Sequence, residues 1–403
     1  MSVFAGLIGQ ADVGEVLQRA ASGDGMTPSW LFVGAAGSGR SVAARAFAAA
    51  LECTTPEQEP GSAAGCGHCH GCTTVLAGTH ADLTVVRPEG LSIGVAEART
   101  LVLGSSMRPT TGRHRILLLE DADRLTEPAG NALLKALEEP AERTVFLLCA
   151  PAVDDVLPTV RSRCRVVRLR PPSSADVATV LRREGVDASM AVFAARAAQG
   201  HVGRARRLAT DEQARARRAE VLRLPSRLTT VASCLAAAAD LVEAAEEEAG
   251  GLTHDRDVTE TAELQATLQG AGARRASVQV RGAAGALKDL EKRQRSRGRR
   301  SVLDALDRAL VDLAAWYRDV LAQQLGVHDR SDAAPGVRSG DRAVEWVHDD
   351  QRREVLHEAA STSPEQTLRR LEAVLACRSA LEETPGIAPL LAVEALALHL
   401  RTA

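Results

Sequence analysis

The segment GAAGSGRS, Gly34 to Ser41, joins a short apolar run, Trp30–Val33, to an alanine-rich helical stretch, Ser41–Leu51. Gly34, Gly37 and Gly39 permit a turn too tight for side chains, and the helix that follows aims its unpaired N–H groups into that turn. Strand, glycine-rich turn and helix N-terminus together form a cradle for phosphate. The segment fits G-x-x-x-x-G-K-[ST] everywhere except at the lysine, where Arg40 stands. In such a loop Ser41 holds Mg²⁺ and a slim ammonium reaches the outer phosphates. Arg40 keeps the charge but brings a wide planar fork, which is not a conservative exchange at a crowded site. A purely structural glycine-rich turn is the alternative reading of this segment taken alone.

The chain beyond the turn supports a nucleotide-binding fold. Leu83–Val86, Ile116–Leu119, Val145–Cys149 and Val166–Leu169 are further short apolar runs, and Ala129–Glu138 reads as a helix stopped by Pro140. Apolar runs alternating with helices predict an α/β P-loop domain, a parallel sheet with helices on both faces. The third run is followed by Glu120-Asp121-Ala122-Asp123, where a motor ATPase has Asp and then Glu. Exchanging the two side-chain lengths displaces both carboxylates, and misplacement by about 1 Å can cost ~10²-fold in rate. The fourth run ends in Cys149-Ala150-Pro151, without the polar side chain that would sense a γ-phosphate. Three departures together disfavour efficient hydrolysis, while ATP and Mg²⁺ binding at Gly34, Gly37, Gly39, Arg40, Ser41, Glu120 and Asp121 stays open.

Cys53, Cys66, Cys69 and Cys72 form C-x12-C-x2-C-x2-C. Thiolates at this spacing can meet one ion tetrahedrally, and four cysteine ligands leave no open position, so the expected metal is structural zinc in an insertion spanning 53–72. His68 and His70 are read as bystanders, and a redox role for the cysteines as the weaker alternative. Cys149, Cys164, Cys234 and Cys377 lack metal spacing and are expected in the core.

Charge and composition exclude several classes. Net charge is −3, from 49 basic and 52 acidic residues, so no global field drives the chain onto nucleic acid or lipid. Nine aromatic residues are too few for a base-stacking platform. No apolar run approaches the roughly 20 residues that span a bilayer, and the N-terminus has no secretion signal, so a cytoplasmic protein without membrane contact is expected. After Pro171-Pro172 the apolar spacing turns helical, with Gly185 and Gly200 as stops. From about Asp211 the chain reads as helices, among them one with Leu303, Leu306, Leu310, Leu313, Tyr317 and Val320 on a single face. Gly270–Gly285 and Val327–Gly340 are expected to be loops. KRQRSRGRR, Lys292–Arg300, and the acidic run Glu246–Glu248 are read as solvated faces.

Gly34–Ser41, the four cysteines after it, GTHADLTVVRPEG at Gly78–Gly90, EDADRLTEPAGNALLKALEEP at Glu120–Pro140 and LPTVRSRC at Leu157–Cys164 together resemble bacterial clamp-loader subunits of the AAA+ class. Within that family the chain is most similar to the delta-prime type of DNA polymerase III, since its ATP site is degraded while Ser162-Arg163-Cys164 is intact. The resemblance covers about residues 1–210. It implies an AAA+ core over 1–170, a helical lid over 171–210 and a helical collar over 211–403. It also implies that Arg163 is an arginine finger supplied in trans to a neighbour's ATP site, and that Arg204 occupies the place of a second sensor or merely packs. The implied partners are gamma/tau and delta subunits, the sliding clamp and, through the assembly, primed DNA. Two other readings stand beside it: a gamma/tau-type motor ATPase, and a zinc-containing nucleic-acid-binding protein with a decayed NTPase fold.

Overall fold

The computed structural model describes residues 2–55, 63–270, 276–327, 345–383 and 386–402. The chain divides into two compact units, Met1–Ala209 and Thr210–Ala403.

In the first unit five parallel strands form one sheet: β1 (Ser29–Val33), β2 (Leu83–Val86), β3 (Arg115–Leu119), β4 (Thr144–Ala150) and β5 (Arg165–Arg168), in the order β2-β3-β4-β1-β5. Each predicted strand is found within a residue or two of its expected limits. Parallel neighbours require crossovers, and the helices that supply them cover both faces. β1 shows why its run is continuously apolar. Trp30 and Phe32 pack on one face with Phe47 of α2 (Arg40–Leu51), the Trp30 and Phe47 rings lying 4.8 Å apart edge to face. Leu31 and Val33 pack on the other face with α4 (Val95–Ser105) and α5 (Glu127–Glu138). The register pairs Val33 with both Ala150 and Arg168, and Leu119 with Leu148. The carboxyl ends of β1, β3 and β4 therefore open at one edge, where the strand order reverses and where such sheets bind ligands. α1 (Ala11–Ala21) precedes the sheet, and α3 (His70–Ala77) follows the cysteine insertion. α6 (Pro158–Arg161) leads into β5, after which come α7 (Ser174–Arg183), α8 (Ala188–Ala197) and α9 (Val202–Thr210). The glycines expected to stop helices do so: Gly185 and Gly200 adopt φ of 89° and 88°.

The second unit is helical: α10 (Glu212–Arg227), α11 (Val231–Gly270), α12 (Ala276–Gln324), α13 (Arg352–Ser361), α14 (Pro364–Glu383) and α15 (Pro389–Thr402). Leu306, Leu310, Leu313, Tyr317 and Val320 of α12 are buried, as their spacing predicts, and Leu303 packs at the margin. Two expectations are corrected. Of the expected loop Gly270–Gly285, Gly270 ends α11 and 276–285 are the first residues of α12, while 271–275 lie outside the described residues. A helical glycine costs roughly 1 kcal/mol relative to alanine, which weakens a long helix without ending it. Glu248 is not solvated like Glu246 and Glu247, because it pairs with Arg308 at 2.7 Å and Arg217 at 3.5 Å. Of the expected loop Val327–Gly340, residues 328–340 lie outside the described residues. Among the described residues no helix is long and apolar enough to cross a membrane.

Candidate functional site

Backbone demands make the phosphate loop what it is. A Cβ at Gly34 would stand 2.5 Å from the Leu169 carbonyl oxygen, and one at Gly37 would stand 2.5 Å from Cα of His201 with φ already at +86°. Only glycine fits either place. The second contact puts the start of α9 directly against the loop. Gln10 ties the loop to the end of β5: its Nε2 donates to the Ser38 carbonyl at 3.0 Å, and its Oε1 accepts from the Arg170 N–H at 2.9 Å. Gly39 caps α2 in the left-handed conformation, and Ser41 lies in the first turn of that helix. Arg40 turns back on its own loop, Nη1 donating to the Gly34 carbonyl at 2.9 Å. One of its donors is thus spent on backbone that a lysine's outward-reaching ammonium would leave alone.

The acid motif is committed in a comparable way. Glu120, just past β3, accepts from Arg45 Nη2 of α2 at 3.1 Å and from Arg87 at the end of β2, Nε at 2.6 Å and Nη2 at 3.3 Å. A carboxylate holding two guanidinium groups presents little free charge to a divalent cation. Asp121 sits at φ 57°, ψ 55°, a left-handed conformation that aspartate tolerates better than most residues. Two positions on, burial pushes the Asp123 carboxyl up to about 6, and the charge of Asp121 adds to the effect. On β4, burial pushes the Cys149 thiol up to about 12. The strand therefore ends in a neutral thiol, Ala150, and Pro151, which has no N–H.

Arg163 lies beyond α6, whose C-cap is Ser162. Its Nε donates to Glu138 Oε1 at 2.7 Å, its Nη1 to the Thr159 carbonyl at 2.7 Å and to Ser162 Oγ at 3.1 Å, and its Nη2 also to Glu138. Ser162 Oγ donates in turn to the Thr159 carbonyl. Cys164 packs, partly buried, against the core on that face of the sheet, and burial pushes its thiol up to about 12. The side chain of Arg163 stays about one-third exposed, at 31%. Arg204, in α9, donates its backbone N–H to His201 Nδ1 at 3.1 Å, one step from the phosphate loop.

The four cysteines converge as the spacing predicts. Their Sγ atoms all lie within 4.8 Å of one another, with Cys53 and Cys69 at 3.9 Å. Zn–S bonds of about 2.3 Å at tetrahedral angles call for roughly this sulfur spacing, so the set fits zinc. The backbone N–H of Cys69 and of His68 point at Cys66 Sγ, 3.3 and 3.5 Å, and that of Cys72 at Cys69 Sγ, 3.5 Å. For Cys69 burial opposes ionisation, but the N–H donors of Cys72 and Thr54 outweigh it and hold the thiol at about 6. His68 is exposed, its Nδ1 beside the Cys66 carbonyl, and neither His68 nor His70 joins the cluster. Next to the cluster, Glu52 is buried and accepts from the N–H groups of Arg113 and His114, 2.7 and 2.8 Å. Asp82 similarly accepts from those of Thr110, Thr111 and Gly112. Glu52 thus fastens the turn before β3 to the start of the cysteine insertion, and Asp82 fastens it to the start of β2.

Sequence reasoning missed Gln10, Arg45, Arg87 and Glu138. Arg87 and Glu138 stand inside quoted family segments but at positions to which no role was attached, Gln10 and Arg45 stand outside them, and in a chain with 49 basic residues an arginine gives no signal of its own.

Residues 9–173 match the family model described as "DNA polymerase III, delta subunit". The DNA polymerase III subunit delta' of Pseudomonas aeruginosa is 40% identical over 138 residues, 34% of this chain and 41% of that protein. The subunit delta' of Bacillus subtilis is 29% identical over 215 residues, 53% of this chain and 64% of that protein. The subunit gamma/tau of Mycobacterium tuberculosis is 33% identical over 196 residues, 47% of this chain and 33% of that protein. The chain thus spans about two-fifths of the first of these relatives and less than two-thirds of any of the three.

Proposed function

We propose, on the premise that residues 9–173 make this chain delta-prime-like within the clamp-loader AAA+ family, that it serves in DNA polymerase III clamp loading without being a motor itself. In this reading it joins gamma/tau and delta subunits through a collar over 211–403, and carries an AAA+ core over 1–170 and a lid over 171–210. The assembly loads the sliding clamp onto primed DNA. Arg163 reaches a neighbouring subunit's ATP site and stabilises charge that develops on the transferring phosphoryl group. Ser162 and Cys164 hold the turn that presents it, and Arg204 packs behind the phosphate loop.

The observation that carries the reading is the commitment of Glu120 to Arg45 and Arg87. A carboxylate so neutralised is a poor ligand for Mg²⁺, and with Arg40 bound to the Gly34 carbonyl the residues of this chain's own site do not fit a working Mg²⁺·ATP centre. Cys53, Cys66, Cys69 and Cys72 do fit zinc, which would lock the insertion between α2 and α3 without taking part in chemistry.

Reconstitution with gamma/tau and delta subunits and a clamp tests the reading. Arg163→Ala should leave assembly intact and lower the DNA-stimulated ATPase of the complex, and an unchanged rate would refute the assignment. The similarity to gamma/tau subunits favours one competing reading, a motor subunit; robust ATP turnover by the isolated chain would establish it instead.

A further inference from the structure

The helical hairpin of the second unit carries a feature that clamp loading by the first unit does not use. Residues 250–301 hold eleven basic and six acidic side chains, a local net charge of +5 in a chain of −3. The charges are sorted by helix and by face. On α12, Leu290 and Arg297 are buried and Gln294 is half-buried, marking the seam with α11. Arg297 is neutralised there by Asp257 at 3.1 Å and by Glu260, and Gln294 donates to the Asp257 carbonyl. At about 100° per residue, Lys288, Lys292, Arg295 and Arg299 fall within roughly 60° of one another, on the side opposite that seam. All four are exposed. Two of the chain's three lysines stand in this row. Arg295 meets Glu291 at 3.2 Å in an open, solvated pair, and Arg299 touches the Ile387 carbonyl at 3.5 Å, at the end of the row near α15. The run Lys292–Arg300 is therefore not a uniformly wetted face, because Arg297 is buried in the seam while Lys292, Arg295 and Arg299 fall in one row.

We propose that this row, Lys288, Lys292, Arg295 and Arg299, is a binding surface for the phosphate backbone of duplex DNA. Lys288 to Arg299 spans about 16 Å of helix, which faces about five phosphates of one strand at ~3.4 Å each. No aromatic residue lies between 250 and 301, so the surface has no stacking platform for single strands. It has no apolar wedge either: over 285–300 the large apolar residues are Leu287 and Leu290, half-buried and buried. A helix that enters a bilayer interface needs an exposed apolar face. What the row offers is charge at regular spacing, which recognises a polyanion by its backbone and not by its sequence.

The test uses the full chain and a labelled 20-base-pair duplex, with affinity measured from 50 to 200 mM salt. Four phosphate contacts predict a slope of log K against log salt of about −3.6, and Lys288→Gln/Lys292→Gln/Arg295→Gln should reduce it to about −0.9 with weaker binding at every salt concentration. Arg19→Gln/Arg182→Gln/Arg183→Gln removes equal charge from exposed positions of the first unit and should leave the slope unchanged. Circular dichroism of each variant confirms that the helices persist. Equal slopes for the hairpin variant and wild type would overturn the proposal, as would tighter binding to phosphatidylserine vesicles or to polyglutamate than to the duplex. Arg163→Ala should bind the duplex like wild type, so this result and that of the ATPase experiment fail or hold separately.

Discussion

Glu138 holds Arg163 within the same chain: Arg163 Nε donates to Glu138 Oε1 at 2.7 Å while Nη1 reaches the Thr159 carbonyl at 2.7 Å. In the proposed reading, this pair stores the guanidinium beside a carboxylate of α5 with its direction already set. Removing an arginine finger costs 10³–10⁵-fold in systems where one acts. Arg163→Ala should accordingly reduce turnover at the site it faces by at least ~10³-fold in single-turnover measurements. Glu138→Gln retains an acceptor but loses the charge. Because both side chains are partly solvated, its unfolding free energy in urea should change by less than about 1 kcal/mol. A larger loss would mean the pair is structural.

The isolated chain should hydrolyse ATP at a negligible rate, and Arg40→Lys should not rescue it. The substitution frees the Gly34 carbonyl and should strengthen nucleotide binding severalfold by fluorescence anisotropy. Turnover stays absent because Arg45 and Arg87 still occupy Glu120. Efficient hydrolysis by Arg40→Lys would show that Arg40 alone had silenced the site.

One zinc per chain is expected by mass spectrometry under native conditions. Cys72→Ser should abolish it, since Cys72 is fully buried and supplies one of the four converging sulfurs. The first unit should then melt about 4–8 °C lower, corresponding to ~2 kcal/mol in a unit of this size. Chelation of the wild type should reproduce the shift, whereas an intact melting curve in chelator would exclude a structural ion.

Asp123 provides a pH dependence with a definite sign. Burial raises its folded pKa to about 6 from an ordinary 3.8. The folded state therefore binds a proton that the unfolded chain releases, and its stabilising contribution is complete below pH 4 and lost as pH rises through 6. Asp123→Asn should remove on the order of 1–2 kcal/mol of this dependence and be the more stable protein at pH 8. Parallel stability profiles for wild type and variant from pH 4 to 8 would contradict it.

Local pattern determined much of this protein. The turn at Gly34–Ser41, the five strands and the cysteine quartet are legible because each leaves a local pattern: three glycines spaced within one short turn, period and length in the apolar runs, thiols at metal spacing. The segment Ala276–Gly285 was misleading for a related reason. Its glycines signal a break locally, yet a helical glycine costs only roughly 1 kcal/mol against alanine, and the segment is the start of α12. The state of the site was decided elsewhere. Arg45 and Arg87 stand 75 and 33 residues from Glu120, and Glu138 stands 25 from Arg163. Only the crossovers of the parallel sheet bring these charges together, and an arginine-rich sequence does not mark which of its guanidinium groups will meet which carboxylate.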